Sequence, residues 1–190
     1  MQLNHHIYDI ETFPNIFTYA AKCMLTGERF LYEISWRHND LEAFLGYVNA
    51  CRHMGVSLVG FNNLGFDYPV IHQIIENPHL TTVESIYNKA MRIIHTPWDN
   101  RFANVIWDQD QHLPQIDLFK IHHFDNLARA TSLKVLEFNM KMDTVEDLPF
   151  PPGTFLTDKE MDELITYNDH DVDATVLFYE KTIPQIEFRM

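Results

Sequence analysis

Cysteine, glycine and long apolar runs are all scarce in this sequence. Its 190 residues include two cysteines, Cys23 and Cys51, and six glycines. Two cysteines cannot build a disulfide framework, so a reducing cytoplasm is the default compartment. The longest apolar runs, such as residues 57–61, are too short to cross a membrane. Residues 1–6 lack the basic and apolar parts of a signal peptide. These absences predict a soluble cytoplasmic protein without a membrane segment.

Basic residues are also scarce, since 14 Lys and Arg stand against 27 Asp and Glu. The resulting net charge of −13 has the wrong sign for a protein that holds nucleic acid phosphates with its whole surface. Strong acidity otherwise indicates either solubility or a cluster of carboxylates that binds hard cations. Basic residues are locally enriched only between Lys120 and Lys141. The positions of the acids therefore decide between the two explanations.

The composition is otherwise that of a globular protein, with 46% hydrophobic and 13% aromatic residues, and the length suits one domain that spans residues 1–190. Apolar alternation and short buried runs predict strands at residues 6–11, 16–22, 29–34, 56–61 and 115–119. Helical spacing predicts helices that include residues 41–48, 68–76, 82–94, a segment through 128, one from 132, and 158–181.

The boundaries between these elements carry their own signals. Asn39 or Asp40 is expected to cap the first helix, and Thr157 with Glu160 forms a capping box before the last. We expect residues 77–114 to be an insertion whose second half is irregular or forms a hairpin. The order of elements predicts the α/β class, with a mixed sheet covered by helices.

Asp9 and Glu11 are the first candidate site residues. Both lie in an otherwise apolar predicted strand, and residues two apart point to the same face of a strand. Two other Asp-x-Glu sequences, at residues 40–42 and 158–160, fall at predicted helix starts, where acids favour the positive end of the helix dipole. Buried acids are costly unless they are paired or bind a metal. We therefore expect Asp9 and Glu11 to form part of a functional site.

The second candidate segment follows the predicted strand at residues 56–61 and contains Asn62, Asn63, Phe66 and Asp67. The ordinary explanation for an Asp after a strand is a helix N-cap. In a chain of this length and composition, an asparagine three or four residues before an aromatic–Asp pair is expected by chance only about a tenth of the time. The pattern therefore favours a functional role for this segment.

The third candidate segment lies on the long C-terminal helix. Tyr167 and Asp171 are four residues apart and share one helix face. Of the eight tyrosines, Tyr167 alone has an Asp at the fourth position after it. Asp169 and Asp173 are predicted to point towards solvent.

In this order the three segments resemble the exonuclease motifs of the DEDD superfamily of 3′–5′ exonucleases. The tyrosine is typical of the branch that proofreads for DNA polymerases, and the pattern is most similar to family B-type polymerases of bacteriophages. The histidine branch is disfavoured because its His position is Thr166 here. The resemblance covers nearly the whole chain and implies a ribonuclease H-like mixed sheet flanked by helices. Motif by motif, the corresponding residues are Asp9 and Glu11, then Phe66 and Asp67, then Tyr167 and Asp171.

The resemblance also implies contacts with the terminal nucleotides of a single strand. The residues it assigns to these contacts are Thr12, Asn62, Asn63, Phe66, Ser132, Leu133 and Lys141. Of the two asparagines, Asn63 suits the protein-primed phage type better, and Lys141 would lie near the scissile phosphate. Asp117, on a predicted buried strand, is either a fifth acid or a structural hydrogen-bond acceptor, and the second role is the better prediction.

Four converging carboxylates would repel one another, so divalent cations are physically required. All-oxygen ligands select Mg²⁺ or Mn²⁺ over zinc, and none of the 11 histidines shows zinc-ligand spacing. The expected mechanism is two-metal phosphodiester hydrolysis. Asp9 would bridge both ions, Glu11 and Asp171 would complete the first site, and Asp67 would hold the second ion through water. Tyr167 would orient the attacking water, because a tyrosine with a pKa of about 10 is a poor base at neutral pH.

The expected function is therefore a metal-dependent 3′–5′ exonuclease that releases nucleoside 5′-monophosphates from single-stranded DNA and proofreads during DNA replication. The chain stops at Met190 without a helix terminator, so we expect it to be a piece of a longer chain, with a natural end as the alternative. The resemblance implies that the partner in such a longer chain would be a polymerase domain. A phage-encoded protein would act in the host cytoplasm. Three rival hypotheses remain: an exoribonuclease, a catalytically silent nucleic-acid-binding or interaction module of the same fold, and an acidic α/β domain with an accidental motif match.

Overall fold

The computed structural model describes residues 4–123 and 148–189 of the chain. Within these ranges, five strands form one sheet in the order β3-β2-β1-β4-β5. The β1–β2 and β2–β3 pairs are antiparallel, whereas β1–β4 and β4–β5 are parallel. The predicted mixed sheet is thus confirmed. The strands are β1 (His5–Phe13), β2 (Ile16–Cys23), β3 (Arg29–Ser35), β4 (Ser57–Gly60) and β5 (Gln115–Asp117).

Helices cover both faces of this sheet. In the described ranges they are α1 (Leu41–His53), α2 (Asp67–Glu76), α3 (Val83–Ile94), α4 (Leu118–His123) and α5 (Asp158–Arg189). Short 3₁₀ segments occupy Pro78–Leu80, Trp98–Asn104 and Asp108–Asp110. None of the helices in the described part of the chain combines the length and the hydropathy needed to span a bilayer. The α/β class predicted from the sequence is confirmed.

β1 packs against a different layer on each face. Tyr8 and Ile10 belong to a core shared with α1, α2 and α3, whereas Ile7 belongs to a second core shared with α4 and α5. This is the alternation expected of a central strand that is buried on both sides. Since Asp9 and Glu11 have the same parity as Ile7, they lie on the face that α5 covers.

The start of α5 is fastened to the β1–β2 turn. The Asn15 side chain donates to the carbonyl of Leu156 at 2.8 Å and accepts from its N–H at 3.0 Å. Thr157 then caps the helix: its N–H donates to the Glu160 carboxylate at 2.7 Å, as the predicted capping box requires. These contacts set where α5 begins relative to β1, and so which of its side chains meet that strand.

The last strand is shorter than the sequence predicted. Residues 115–119 were expected as a strand, but β5 ends at Asp117 and Leu118 begins α4. The Asp117 carboxylate accepts the N–H of Phe119 at 3.0 Å and that of Lys120 at 3.4 Å. Asp117 therefore acts as a cap that converts the strand into a helix.

Three further boundaries decide between alternatives or differ from expectation. Residues 95–114, a stretch that is described throughout, form two 3₁₀ segments and no hairpin strand, which agrees with the irregular alternative. α5 continues past residue 181, with Pro184 inside it and Ile186 buried in the second core. Of the two residues predicted to cap α1, Asp40 does not, because its carboxylate accepts the N–H of Glu33, whereas the side chain of Asn39 accepts the N–H of Leu41 at 3.3 Å. The helices predicted through residue 128 and from 132 lie outside the described residues.

Candidate functional site

Three acidic side chains from β1 and α5 meet between the sheet and the helix. One carboxylate oxygen from each of Asp9, Glu11 and Asp171 lies within 4.8 Å of the other two. All three residues are partly buried. Strand alternation aims the β1 pair at α5, and the helix returns Asp171 to the same point. We refer to Asp9, Glu11 and Asp171 as the acidic cluster.

The charges of this cluster are held close together in a poorly solvated place. Burial raises the pKa of Asp9 well above its usual range, and the charges of Asp67, Glu11 and Asp171 raise it further. A hydrogen bond from Asn168 acts in the opposite direction. Neutral or metal-bound carboxylates are favoured under these conditions. The cluster therefore offers a cation oxygen ligands whose mutual repulsion the cation would relieve.

Asp67 stands next to the acidic cluster on the first residue of α2. Its side chain is 6% exposed, and burial raises its pKa to about 7, with the charge of Asp117 adding to the effect. Hydrogen bonds from the backbone N–H groups of Asp67 and Ile10 lower this pKa. Ile10 lies between Asp9 and Glu11, so the carboxylate of Asp67 is attached to β1 at the level of the cluster. Asp67 is not one of the three groups within 4.8 Å of one another.

Tyr167 lies one helical turn before Asp171 and is 7% exposed. Burial raises the pKa of its hydroxyl, and the charge of Asp171 and a hydrogen bond with it raise it further. The hydroxyl consequently stays protonated across the neutral range. It is available as a hydrogen-bond donor at the edge of the acidic cluster and is unsuited to act as a base.

Asn168 is a residue of this region that the sequence analysis missed. It is fully buried, its Nδ2 donates to Asp9 Oδ2 at 2.6 Å, and its Oδ1 accepts from Thr18 Oγ1 at 2.8 Å. The chain Thr18–Asn168–Asp9 fixes the orientation of the carboxylate. The available signal was the spacing of three residues between Asn168 and Asp171, which places both on one helix face.

Two other acids of this helix have a structural role. Asp169 and Asp173 point to the surface, as predicted, with side chains that are 46% and 43% exposed. Both also form ion pairs with Arg29, and Asp173 pairs with Lys22 at 3.3 Å. These pairs join the outer face of α5 to β2 and β3.

The turn between β4 and α2 is organised by Asp117. Its carboxylate accepts the N–H of Asn62 at 2.9 Å and the N–H of Leu64 at 3.3 Å. Asn62 has a φ of 59°, in the left-handed region that Asn tolerates better than most residues. Asp117 thus has the structural hydrogen-bonding role that the sequence favoured for it, and it holds the turn that leads into Asp67.

The residues predicted to contact nucleotides differ in their exposure to solvent. Thr12 and Phe66 are partly exposed and Asn62 is exposed. Asn63 is buried, and its amide donates to Gln115 Oε1 at 3.0 Å. A cavity of about 240 Å³ opens beside Asn62, where Leu64 and Gly65 face residues of the 93–105 segment. Ser132, Leu133 and Lys141 lie outside the described residues.

Solved structures of related fold include a DNA polymerase. The family B DNA polymerase from the hyperthermophilic archaeon Pyrobaculum calidifontis superposes with a TM-score of 0.60 and 18% sequence identity. The match covers 97% of this chain and 25% of the polymerase, so the chain spans about a quarter of that protein's length. No protein-family model and no curated protein matches the chain. The likeness establishes the fold.

Proposed function

We propose that this chain is a divalent-metal-dependent 3′–5′ exonuclease that acts on single-stranded DNA. The observation that carries the proposal is the acidic cluster, in which oxygens of Asp9, Glu11 and Asp171 lie within 4.8 Å of one another. Tyr167 and Asp67, which the DEDD resemblance adds to the site, lie beside the acidic cluster and support the proposal. The fold shared with a DNA polymerase supports the same substrate.

The donor set of the acidic cluster fits Mg²⁺ or Mn²⁺, since all of its ligand atoms are carboxylate oxygens. Asp9, Glu11 and Asp171 would hold the first ion, and Asp67 would help to hold the second. When bound, such ions lower the pKa of a coordinated water and stabilise charge on the departing oxygen.

The side chains around the cluster would position the substrate and the water. Tyr167 keeps its proton and would donate a hydrogen bond that orients the attacking water. Asn168 holds Asp9 in one orientation through the 2.6 Å bond. Thr12, Asn62 and Phe66 would contact the terminal nucleotides, and a partly exposed aromatic ring such as Phe66 suits stacking on a base of any identity. Asn63 would support this surface from inside through Gln115.

The test is a nuclease assay with a 5′-labelled single-stranded DNA and Mn²⁺. We expect a ladder that shortens from the 3′ end, with nucleoside 5′-monophosphates as products. The matched control is Asp9→Asn Glu11→Gln, which keeps the shape of both side chains but removes their charge, and it should leave the DNA intact. A ladder of equal intensity from this control would contradict the proposal.

An RNA of the same sequence, assayed in parallel, separates the two nuclease alternatives. Faster digestion of RNA than of DNA would replace the proposed substrate with RNA. Measurable Mn²⁺ binding by the wild-type chain, with no hydrolysis of either strand, would replace the enzyme with a binding module of the same fold.

A further inference from the structure

A second group of metal-ligating side chains lies at the other end of α2. His72 and Glu76 are four residues apart on this helix, and His112 comes from the segment that leads into β5. One ligand atom from each of the three lies within 4.8 Å of the other two. Asp67 and Glu76 are the first and last residues of α2, about 14 Å apart along its axis, so this group is separate from the acidic cluster.

The three side chains are held in place by contacts that do not require an ion. His112 Nε2 lies 2.5 Å from Glu76 Oε1, and its ring centroid is 5.1 Å from that of His72. The backbone N–H of His112 donates to the hydroxyl of Tyr68 at 2.7 Å. Tyr68 is fully buried on α2. The segment that carries His112 is therefore anchored to α2 beside the three side chains. Since this segment is already ordered, binding an ion costs less conformational entropy.

The contact between His112 and Glu76 does not satisfy every polar atom of the group. His72 Nδ1 is buried and has no hydrogen-bond partner within the described part of the chain. A buried polar nitrogen without a partner costs free energy. The contact between His112 and Glu76 leaves the imidazole of His72 without a polar partner, whereas an ion shared by all three side chains would draw that imidazole into the interaction.

The chemistry of the ligands selects the metal. Two imidazoles and one carboxylate form a set that suits zinc and disfavours Mg²⁺, which prefers oxygen. The group also lies in the last turns of α2, where the helix dipole favours positive charge. We propose that His72, Glu76 and His112 bind a zinc ion at a site distinct from the acidic cluster.

The zinc site would fasten residues 77–112 to α2. This segment supplies Ile93, Thr96, Asn104 and Val105 to the wall of the cavity beside Asn62. A metal that joins both ends of the segment would hold that wall against the turn that precedes Asp67. The site stands independently of the proposed exonuclease activity, since it uses none of its residues.

The test is a zinc titration against a chromophoric chelator. The protein is the Asp9→Asn Glu11→Gln chain, in which the acidic cluster is disabled. We expect about one zinc ion per chain, and Mg²⁺ should not displace it. Adding His112→Gln or Glu76→Gln should weaken zinc binding at least about 100-fold, because loss of a ligand exceeds the usual effect of losing a supporting contact. His79→Gln, at an exposed histidine outside the group, is the matched control and should bind zinc like the parent.

Thermal unfolding in EDTA and in zinc completes the experiment. Zinc should raise the melting temperature of the parent and of His79→Gln, but not that of His112→Gln. Unfolding in EDTA shows whether each variant is folded, and Glu76→Gln, at an exposed side chain, is the milder second variant. The proposal would be overturned if the parent did not bind zinc. It would also be overturned if the parent and the His112→Gln, Glu76→Gln and His79→Gln variants all bound zinc equally.

Discussion

Asn168 shows at the scale of single residues how the acidic cluster depends on a neutral neighbour. It supplies Asp9 with a hydrogen bond at 2.6 Å and is itself oriented by Thr18. Such supporting contacts fix the direction of a ligand oxygen and its readiness to bind a cation.

We predict that Asn168→Ala weakens Mn²⁺ binding about 10- to 100-fold, because Asp9 loses its donor and its fixed orientation. Isothermal titration calorimetry measures the affinity. Thr18→Val is the matched control: it removes the hydroxyl behind Asn168 but leaves the bond to Asp9, so a smaller loss is expected. Wild-type affinity in Asn168→Ala would show that the contact does not support a metal.

Tyr167 allows a prediction that separates positioning from metal binding. Tyr167→Phe removes the hydroxyl and leaves the ring in its buried place. Under the proposed function, the turnover number should fall by about 10- to 100-fold while the Mn²⁺ affinity stays unchanged, since the lost group orients water and binds no ion.

Single-turnover digestion of labelled DNA measures the rate, and calorimetry measures the metal affinity. Tyr87→Phe is the matched control, because Tyr87 lies on α3 at the opposite face of the sheet and its loss of a hydroxyl should leave the rate unaltered. Parallel losses of rate and of metal affinity in Tyr167→Phe would contradict the positioning role.

Asp67 gives the metal-free protein a specific pH dependence. Its pKa rises from 3.8 to about 7 on folding, first because of burial. Between these values the folded chain holds a proton that the unfolded chain has released. Asp67 therefore contributes stability at low pH that is lost as the pH rises through about 7.

The measurement is urea unfolding in EDTA from about pH 4 to pH 8, with wild type beside Asp67→Asn. The free energy of unfolding of wild type, relative to that of the variant, should decrease as the pH rises through the window. A constant difference between the two proteins would contradict the prediction.

At the scale of elements, much of the fold was predictable because its signals are local. Alternation placed β1, β2 and β3, and helical spacing placed α1 and α3, since both patterns need only neighbouring residues. The end of β5 was missed because the apolar run continues to Phe119, although Asp117 caps the N–H groups of Phe119 and Lys120. The further bonds of Asp117 with the backbone more than fifty residues away, at Asn62 and Leu64, were not predictable.

The candidate site likewise contains some features that local spacing predicts and others that it does not. The shared face of Asp9 and Glu11 and the helix face of Tyr167 and Asp171 follow from local spacing. The bond between Asn168 and Asp9, and the meeting of His72 with His112, join residues far apart in sequence. No spacing rule shows such a contact before the chain is folded.

Gly60 provides a prediction for the junction of β4 with the turn. A Cβ at this position would lie 2.7 Å from Cβ of Asn63 and 3.4 Å from the carbonyl oxygen of Tyr8. Asn63 is fixed by burial and by its bond to Gln115. Gly60→Ala should therefore lower the free energy of unfolding by about 1–3 kcal/mol through overpacking.

Urea unfolding of both proteins tests this expectation. Gly46→Ala is the matched control, because Gly46 is exposed within α1 and a Cβ there would meet nothing within 4 Å. It should raise the free energy of unfolding by about 0.5–1 kcal/mol, since Ala is the better helix former. Equal effects of the two substitutions would show that Asn63 moves aside.

For the whole molecule, the net charge of −13 governs how it meets a polyanion. Without cations, repulsion should keep its affinity for single-stranded DNA low. We predict that Ca²⁺, which suits oxygen ligands, tightens binding about tenfold, equivalent to about 1.4 kcal/mol.

Fluorescence anisotropy of a labelled strand, in EDTA and then in Ca²⁺, measures the change. Asp9→Asn Glu11→Gln should bind DNA at least as tightly as wild type in EDTA, because it lowers the negative charge of the acidic cluster, yet gain little from Ca²⁺. An equal gain in both proteins would place the effect of Ca²⁺ outside the acidic cluster.

The two-sided packing of β1 has a consequence for protein engineering. Two of its even-numbered side chains, Tyr8 and Ile10, belong to the core with α1, α2 and α3, whereas Asp9 and Glu11 face α5. One link from this core to Asp67 is the backbone N–H of Ile10, which any residue except proline supplies. A library that varies Tyr8, Ile10 and their partners on α1 and α3, and leaves α2 unchanged, can therefore select for heat tolerance while Asp9 and Glu11 keep their places on the other face.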